Sequence, residues 1–269
     1  MQELTYLSSS RFGGAVGDVN GGECVVDHTN RVVAVGGEAS GPIIHAAFRR
    51  GVGCVVMAPG QSDIKQLPEF TLPGVNESAA IIPWPNGDVK ENRPLPGNID
   101  KRALLAASDW AFHRNTPEQD TLSLIVVYKG HIIHEQYADG ITRLTRTRTW
   151  SVAKSIAVTL FGLLVDKGDM SLDQSLGFEW YPSVENPQND PRNEITLRHV
   201  LNMSSGLYSV DSSGMEYAIG SGLAYWAGKS SIEGMRERGL IRAPGTFWDY
   251  ENYDTLLAVY AMKQALGGG

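Results

Sequence analysis

The sequence predicts a mixed α/β chain of the α+β kind, with a helical part behind a β-rich front. Three observations predict it. Val152, Ile156, Leu160, Leu163 and Leu164 recur at three- and four-residue steps, which is helical spacing. Short runs rich in Val and Ile, such as Val32-Val33-Ala34-Val35, are bounded by turn residues and read as strands. Prolines crowd the stretch from Pro83 to Pro96 and separate a β-rich extension, residues 1–97, from a second domain, residues 98–269.

The front half is justified element by element. Cys24-Val25-Val26 and Arg31 to Val35 flank Asp27-His28-Thr29-Asn30, the pattern of a hairpin. Gly53 to Met57 is a short apolar strand ended by Pro59-Gly60. The glycines between Gly13 and Gly22 match neither a P-loop nor a dinucleotide fingerprint, so no phosphate site is expected there.

Behind the linker, Asp100 reads as the N-cap of a helix holding Leu104, Leu105, Trp110 and Phe112. Thr121 to Val127 and His131 to Tyr137 form a strand pair turned at Lys129-Gly130. His131 and His134 stand three apart in a strand and face opposite sides, so they are not read as metal ligands. No metal or cofactor is expected. Gly177 to Glu194 reads as a long loop. Thr196 caps a helix through Met203, and Ser230 with Glu233 suggests a capping box for a helix ending at Gly239. A last helix carries Leu256, Leu257, Val259, Tyr260 and Met262.

The totals exclude several roles. The chain has 269 residues, 42% hydrophobic, enough for a sizeable core. Net charge is −7 and the arginines Arg143, Arg146 and Arg148 are scattered, so nucleic acid is not an expected partner. No apolar run approaches the ~18 residues of a membrane span. The opening Met1-Gln2-Glu3-Leu4 lacks the basic and apolar regions of a signal peptide, which leaves cytoplasm and periplasm both open. Cys24 and Cys54 read as buried free thiols, with a disulfide as the alternative.

The chemistry gathers at Trp150-Ser151-Val152-Ala153-Lys154-Ser155. Ser151 opens a helix expected to be buried nearly all round, and Lys154 stands three residues on along the same face. A helix start offers unpaired N–H groups and partial positive charge, suited to an oxyanion. A lysine withdrawn from water is pushed toward its neutral, basic form. Together they make a hydroxyl nucleophile with a base in reach. The other S-x-x-K, Ser62-Asp63-Ile64-Lys65, has no apolar helix behind it and reads as a surface turn. A capping serine beside a snorkelling lysine is the alternative reading of Ser151 and Lys154.

Four stretches in order resemble the serine β-lactamase-like and penicillin-binding-protein-like hydrolases. They are Tyr128-Lys129-Gly130-His131, then Ser151 to Lys154, then His199 to Leu207, and finally Ala243-Pro244-Gly245 leading to Tyr250-Glu251-Asn252. Trp150 and Asn189-Asp190-Pro191-Arg192 look closer to the 6-aminohexanoate-dimer hydrolase branch than to the true β-lactamases, class C among them. The resemblance implies a β-lactamase/transpeptidase-like fold with a helical subdomain. It implies that Ser151 forms an acyl-enzyme, that Lys154 takes its proton or keeps the proton network poised, and that Tyr250 shuttles a proton to the leaving group. Asn252 would orient the substrate. A phenol ionises near pH ~10, so a lysine cation beside Tyr250 is needed for phenolate character.

The family's later strand motif has no counterpart: Lys-Thr-Gly, Lys-Ser-Gly, His-Thr-Gly and His-Ser-Gly do not occur. By resemblance the C-terminal strands are missing, to be supplied by a C-terminal segment, a second chain or a substitute element. Residues 1–269 alone are therefore expected to turn over an ester substrate no faster than Ser151→Ala, since one oxyanion donor typically contributes about 10²–10³ in rate. The expected function is a serine hydrolase acting on small ester or amide substrates. The alternative is a catalytically silent binding or interaction module that keeps the helical half of the fold.

Overall fold

The computed structural model describes residues 24–37, 41–58, 60–71, 81–115, 121–145, 147, 149–211 and 214–267. The chain divides into two compact units, Met1–Leu72 with Ser151–Gly269, and Pro73–Trp150. Neither junction coincides with residue 97. The glycines from Gly13 to Gly22 lie outside the described residues.

The first unit opens with four antiparallel strands in the order β1-β2-β3-β4. They are β1 (Cys24–Asp27), β2 (Val32–Gly37), β3 (Gly41–Arg49) and β4 (Gly53–Val56). The β1–β2 turn is set by Asp27, whose side chain accepts from the backbone N–H groups of Thr29 and Asn30, each at 2.9 Å. Strand β3 pairs Ala34 with His45 and was not read from the sequence. Its Gly41-Pro42 start and its Ala46-Ala47 pair hide the alternation that marks a strand. Cys54 is a free thiol and is exposed, contrary to the expected burial. It lies on β4, at an end of the sheet's strand order.

From Ser151 the same unit is helical. It holds α2 (Val152–Asp166), α3 (Leu197–Leu201), α4 (Glu216–Ile219), α5 (Gly222–Ala227), α6 (Ser231–Arg236) and α7 (Asn252–Ala265), where α1 denotes Lys101–Phe112 of the second unit. The core joins Phe161 and Leu164 of α2, Leu197 and Val200 of α3, Met235 of α6, and Tyr253, Leu257, Ala258 and Ala261 of α7. Each fully buried Leu or Phe of this kind contributes roughly 1.5–3 kcal/mol. Phe178 meets both Trp180 and Tyr260 edge-on at 4.9 Å.

One expectation is overturned here. Helix α2 is not buried nearly all round: only Phe161 and Leu164 are buried, while Ile156 is 58% and Leu160 48% exposed. Val152 and Leu163 are exposed with them. Apolar composition on every face states what a helix is able to bury. Its packing depends on which neighbours it meets, and α7 is its main helical neighbour among the described elements.

The second unit holds α1 and the hairpin β5 (Ser123–Tyr128) and β6 (His131–Tyr137). Asp100 caps α1 by accepting from the N–H groups of Arg102 and Ala103. Lys129 and Gly130 have φ of 47° and 78°, the left-handed pair that a two-residue hairpin turn requires. Buried Ser108 of α1 donates to Gln136 and meets His134 Nε2, each at 2.7 Å. A cleft of about 780 Å³ within this unit is lined by Arg93, Leu104, Leu105, Tyr128, His131 and Ile133 among others.

Candidate active site

Ser151 stands at the N-cap of α2, yet its side chain makes no capping bond. The hydroxyl is turned instead toward Tyr250, with Oγ 2.6 Å from the phenol oxygen. This departs from the capping-serine alternative. Trp150, just before it, has φ 46°, a left-handed value uncommon for a bulky side chain.

Lys154 is half-buried rather than fully buried. Its Nζ does not snorkel to solvent. It donates to Ser151 Oγ at 3.0 Å, to Tyr250 OH at 2.8 Å and to Asn252 Oδ1 at 2.7 Å. An ammonium has three hydrogens, and here three acceptors stand around it. The same charge lies 5.0 Å from the centre of the Tyr250 ring. Ser151, Lys154, Tyr250 and Asn252 thus form one connected cluster. None of them lines the 780 Å³ cleft of the second unit.

The Tyr250-Glu251-Asn252 segment is held by the loop from Ser209 to Asp211. Ser209 Oγ donates to the Tyr250 carbonyl at 3.1 Å. Glu251 is buried and its Oε2 accepts from the N–H groups of Val210 and Asp211, at 2.8 and 3.2 Å. Its Oε1 accepts from Tyr253 N–H, which caps α7. Asn252 Nδ2 donates to Asp211 Oδ2 at 2.8 Å and to Ser221 Oγ at 3.1 Å. Asp211 also accepts from Ser221 N–H at 3.0 Å and from Ser221 Oγ at 2.7 Å.

The electrostatics of this second layer are uneven. Burial pushes the Glu251 carboxyl up to about 7, and neighbouring Asp211 pushes the same way. Burial acts to raise Asp211 too, but hydrogen bonds from Glu251, Ser221 and Asn252 outweigh it and hold it below the ordinary value. Of the pair, Glu251 therefore holds a proton more readily than Asp211. Burial also raises Glu216, with Asp211 adding to the rise and Lys154 opposing it.

Sequence reasoning missed Asp211, Ser221 and Glu216, and it gave Glu251 no role of its own. Asp211 lies 41 residues from Asn252, and no local spacing marks that contact. The one usable signal was the middle residue of Tyr250-Glu251-Asn252, a carboxylate at a helix start. His134 is taken up by Ser108, and His131 stands beside Glu91 and Arg93. Among the described residues, no group of three His, Cys, Asp or Glu side chains is arranged to hold a metal. No helix among them is long and apolar enough to cross a membrane.

The class of protein now follows from fold and sequence together. The family model described as Beta-lactamase matches residues 114–267, more than half the chain, and the chain belongs to that family. Its architecture is mixed helix and sheet of the β-lactamase/transpeptidase-like kind, with small, unclosed sheets. Among solved structures it is similar to a putative 6-aminohexanoate-dimer hydrolase from Bacillus anthracis. That match has 17% identity, covers 55% of this chain and 41% of the other, and has a TM-score of 0.43. It is also similar to a D-stereospecific amidohydrolase from Streptomyces sp., at 23% identity, 50% and 41% coverage and a TM-score of 0.37. The chain spans about two fifths of the length of each.

Proposed function

We propose that this chain is a serine hydrolase acting on small ester or amide substrates through an acyl-enzyme on Ser151. The observation that carries the reading is the Ser151 hydroxyl, which caps nothing and lies within hydrogen-bond reach of both Tyr250 and Lys154. Membership of the family supports the same reading.

In this reading Ser151 Oγ attacks the carbonyl carbon, and its proton passes to the Tyr250 oxygen. In this step Tyr250 accepts as the phenolate, with Lys154 Nζ donating to the same oxygen at 2.8 Å. The carbonyl π electrons move to oxygen, where the N–H groups at the start of α2 face the developing charge. Collapse breaks the bond to the alcohol or amine, which leaves with the proton from Tyr250. Water then attacks the acyl-enzyme, gives its proton to Tyr250, and Ser151 departs with that proton. Asn252, expected by resemblance to orient substrate, serves here as a brace for Lys154. Its Oδ1 is taken up by Lys154 and Tyr250, and its Nδ2 by Asp211 and Ser221.

A fluorescent alkylphosphonate tests this directly, because it reports the nucleophile without requiring turnover. The expected result is covalent labelling that is lost in Ser151→Ala. Equal labelling of native protein and Ser151→Ala would refute the reading and leave the silent binding module in its place.

A further inference from the structure

We infer that Asp211 is a positioning residue for this site: it fixes which end of the Asn252 amide faces Lys154. The inference rests on the serine-hydrolase reading for its functional consequence, and on the hydrogen-bond pattern for the arrangement itself.

An asparagine amide fits its pocket equally well in two orientations, since oxygen and nitrogen have nearly the same shape. Its neighbours decide between them. On one side stands Lys154 Nζ, a donor only, 2.7 Å from Asn252 Oδ1. On the other stands the Asp211 carboxylate, an acceptor only, 2.8 Å from Asn252 Nδ2. Flipping the amide would set NH₂ against ammonium and carbonyl against carboxylate. Ser221 Oγ donates to Asp211 and accepts from Asn252 Nδ2, so it follows the orientation that Asp211 sets.

Asp211 is itself held in place. Its Oδ1 receives Ser221 N–H, and its Oδ2 receives Ser221 Oγ, Asn252 Nδ2 and, at 3.3 Å, Asn252 N–H. A Cβ at Gly220 would lie 2.3 Å from Asp211 Oδ1 and 2.7 Å from the Glu216 Cα. The absence of a side chain at 220 is what lets the carboxylate lie against that backbone. Oδ1 of Asp211 faces Ser221 N–H and Oδ2 faces Asn252 Nδ2, both donors only, so an amide at 211 sets NH₂ against a donor in either orientation. The brace on Lys154 then loses its preferred direction.

The test has two arms. In nitrogen-correlated spectra of the native protein, the Asn252 NH₂ signals are identified by their loss in Asn252→Ala. They should be resolved from bulk side-chain amides and protected from solvent exchange. Bulk-like, fast-exchanging signals overturn the inference whatever the enzyme does. In the second arm, phosphonate labelling of Ser151 in Asp211→Asn should slow by roughly 10- to 100-fold, the scale of a hydrogen bond to a charged group. That loss should vanish when Asp211→Asn is made in the Asn252→Ala background, because the two residues act as one unit. Unchanged labelling in Asp211→Asn, or a loss that adds fully to that of Asn252→Ala, would overturn it. Labelling that persists in Ser151→Ala is a different failure: it removes the hydrolase reading, and the spectra alone then judge the amide.

Discussion

Replacing Asp254 by asparagine should make the protein less sensitive to rising pH. Asp254 lies on α7, two residues beyond Asn252, and is 1% exposed. Ser205 Oγ donates to its Oδ1 at 2.7 Å, and Ser205 N–H lies 3.4 Å from Oδ2. Burial raises its carboxyl from the ordinary 3.8 to about 7, more than the two Ser205 bonds lower it. The sign follows from linkage. A folded-state value above the unfolded one means that the folded protein holds the proton more tightly. The neutral form's stability is fully present below pH ~4, is lost as pH rises toward about 7, and is level beyond that. One such group gives a slope of about 1.4 kcal/mol per pH unit, and on the order of 4 kcal/mol across the window. Asparagine carries no charge to bury. Its carbonyl accepts from Ser205 Oγ, while its NH₂ faces Ser205 N–H, a mismatch of about 1 kcal/mol. Urea unfolding at several pH values from 4.5 to 8 reads both effects. Asp254→Asn should be about as stable as native at pH 4.5 and clearly more stable at pH 8. Some slope should remain in the variant, because Glu251 is shifted the same way. Parallel curves for the two proteins across the window would refute the reasoning.

Two further outcomes follow from particular contacts. Tyr250→Phe removes the oxygen 2.6 Å from Ser151 Oγ and should slow Ser151 labelling by roughly 10²–10⁴, the usual contribution of a positioned proton acceptor; labelling at the native rate would assign the proton to Lys154 instead. Arg192→Leu strips the partner from buried Asp190 and leaves the carbonyls of Tyr181, Pro182 and Arg238 without their donor. It should lower unfolding free energy by about 3–5 kcal/mol in urea, with secondary structure retained in mild buffer.

What the sequence made legible was local. Asp100 and Thr196 were read as caps and cap, because an N-cap is a contact between neighbours in the chain. Ser230 accepts from Glu233 N–H as read, though its helix ends at Arg236, before Gly239. Ser151 and Lys154 were visible because three residues along a helix place them on one face. Tyr250 and Asn252 were visible only through the resemblance, since nearly a hundred residues separate them from Lys154. Asp211 and Ser221 had neither kind of signal. They are drawn in by a hydrogen-bond pattern that exists only once the loops have met. Exposure of Ile156 and Leu160 was illegible for the matching reason: a periodic pattern describes one helix and leaves its neighbours unspecified.

The saturation of Lys154 has a practical meaning for handling the protein. The Nζ of Lys154 is hemmed in by Ser151, Tyr250 and Asn252, which crowd the approach of an electrophile. In the folded state it should therefore resist carbamylation by the cyanate that accumulates in urea solutions. The more exposed Lys90 should react before it. Mass mapping of modified lysines would thus report whether the cluster was assembled while the sample was stored, with Lys154 becoming reactive only in molecules that have unfolded.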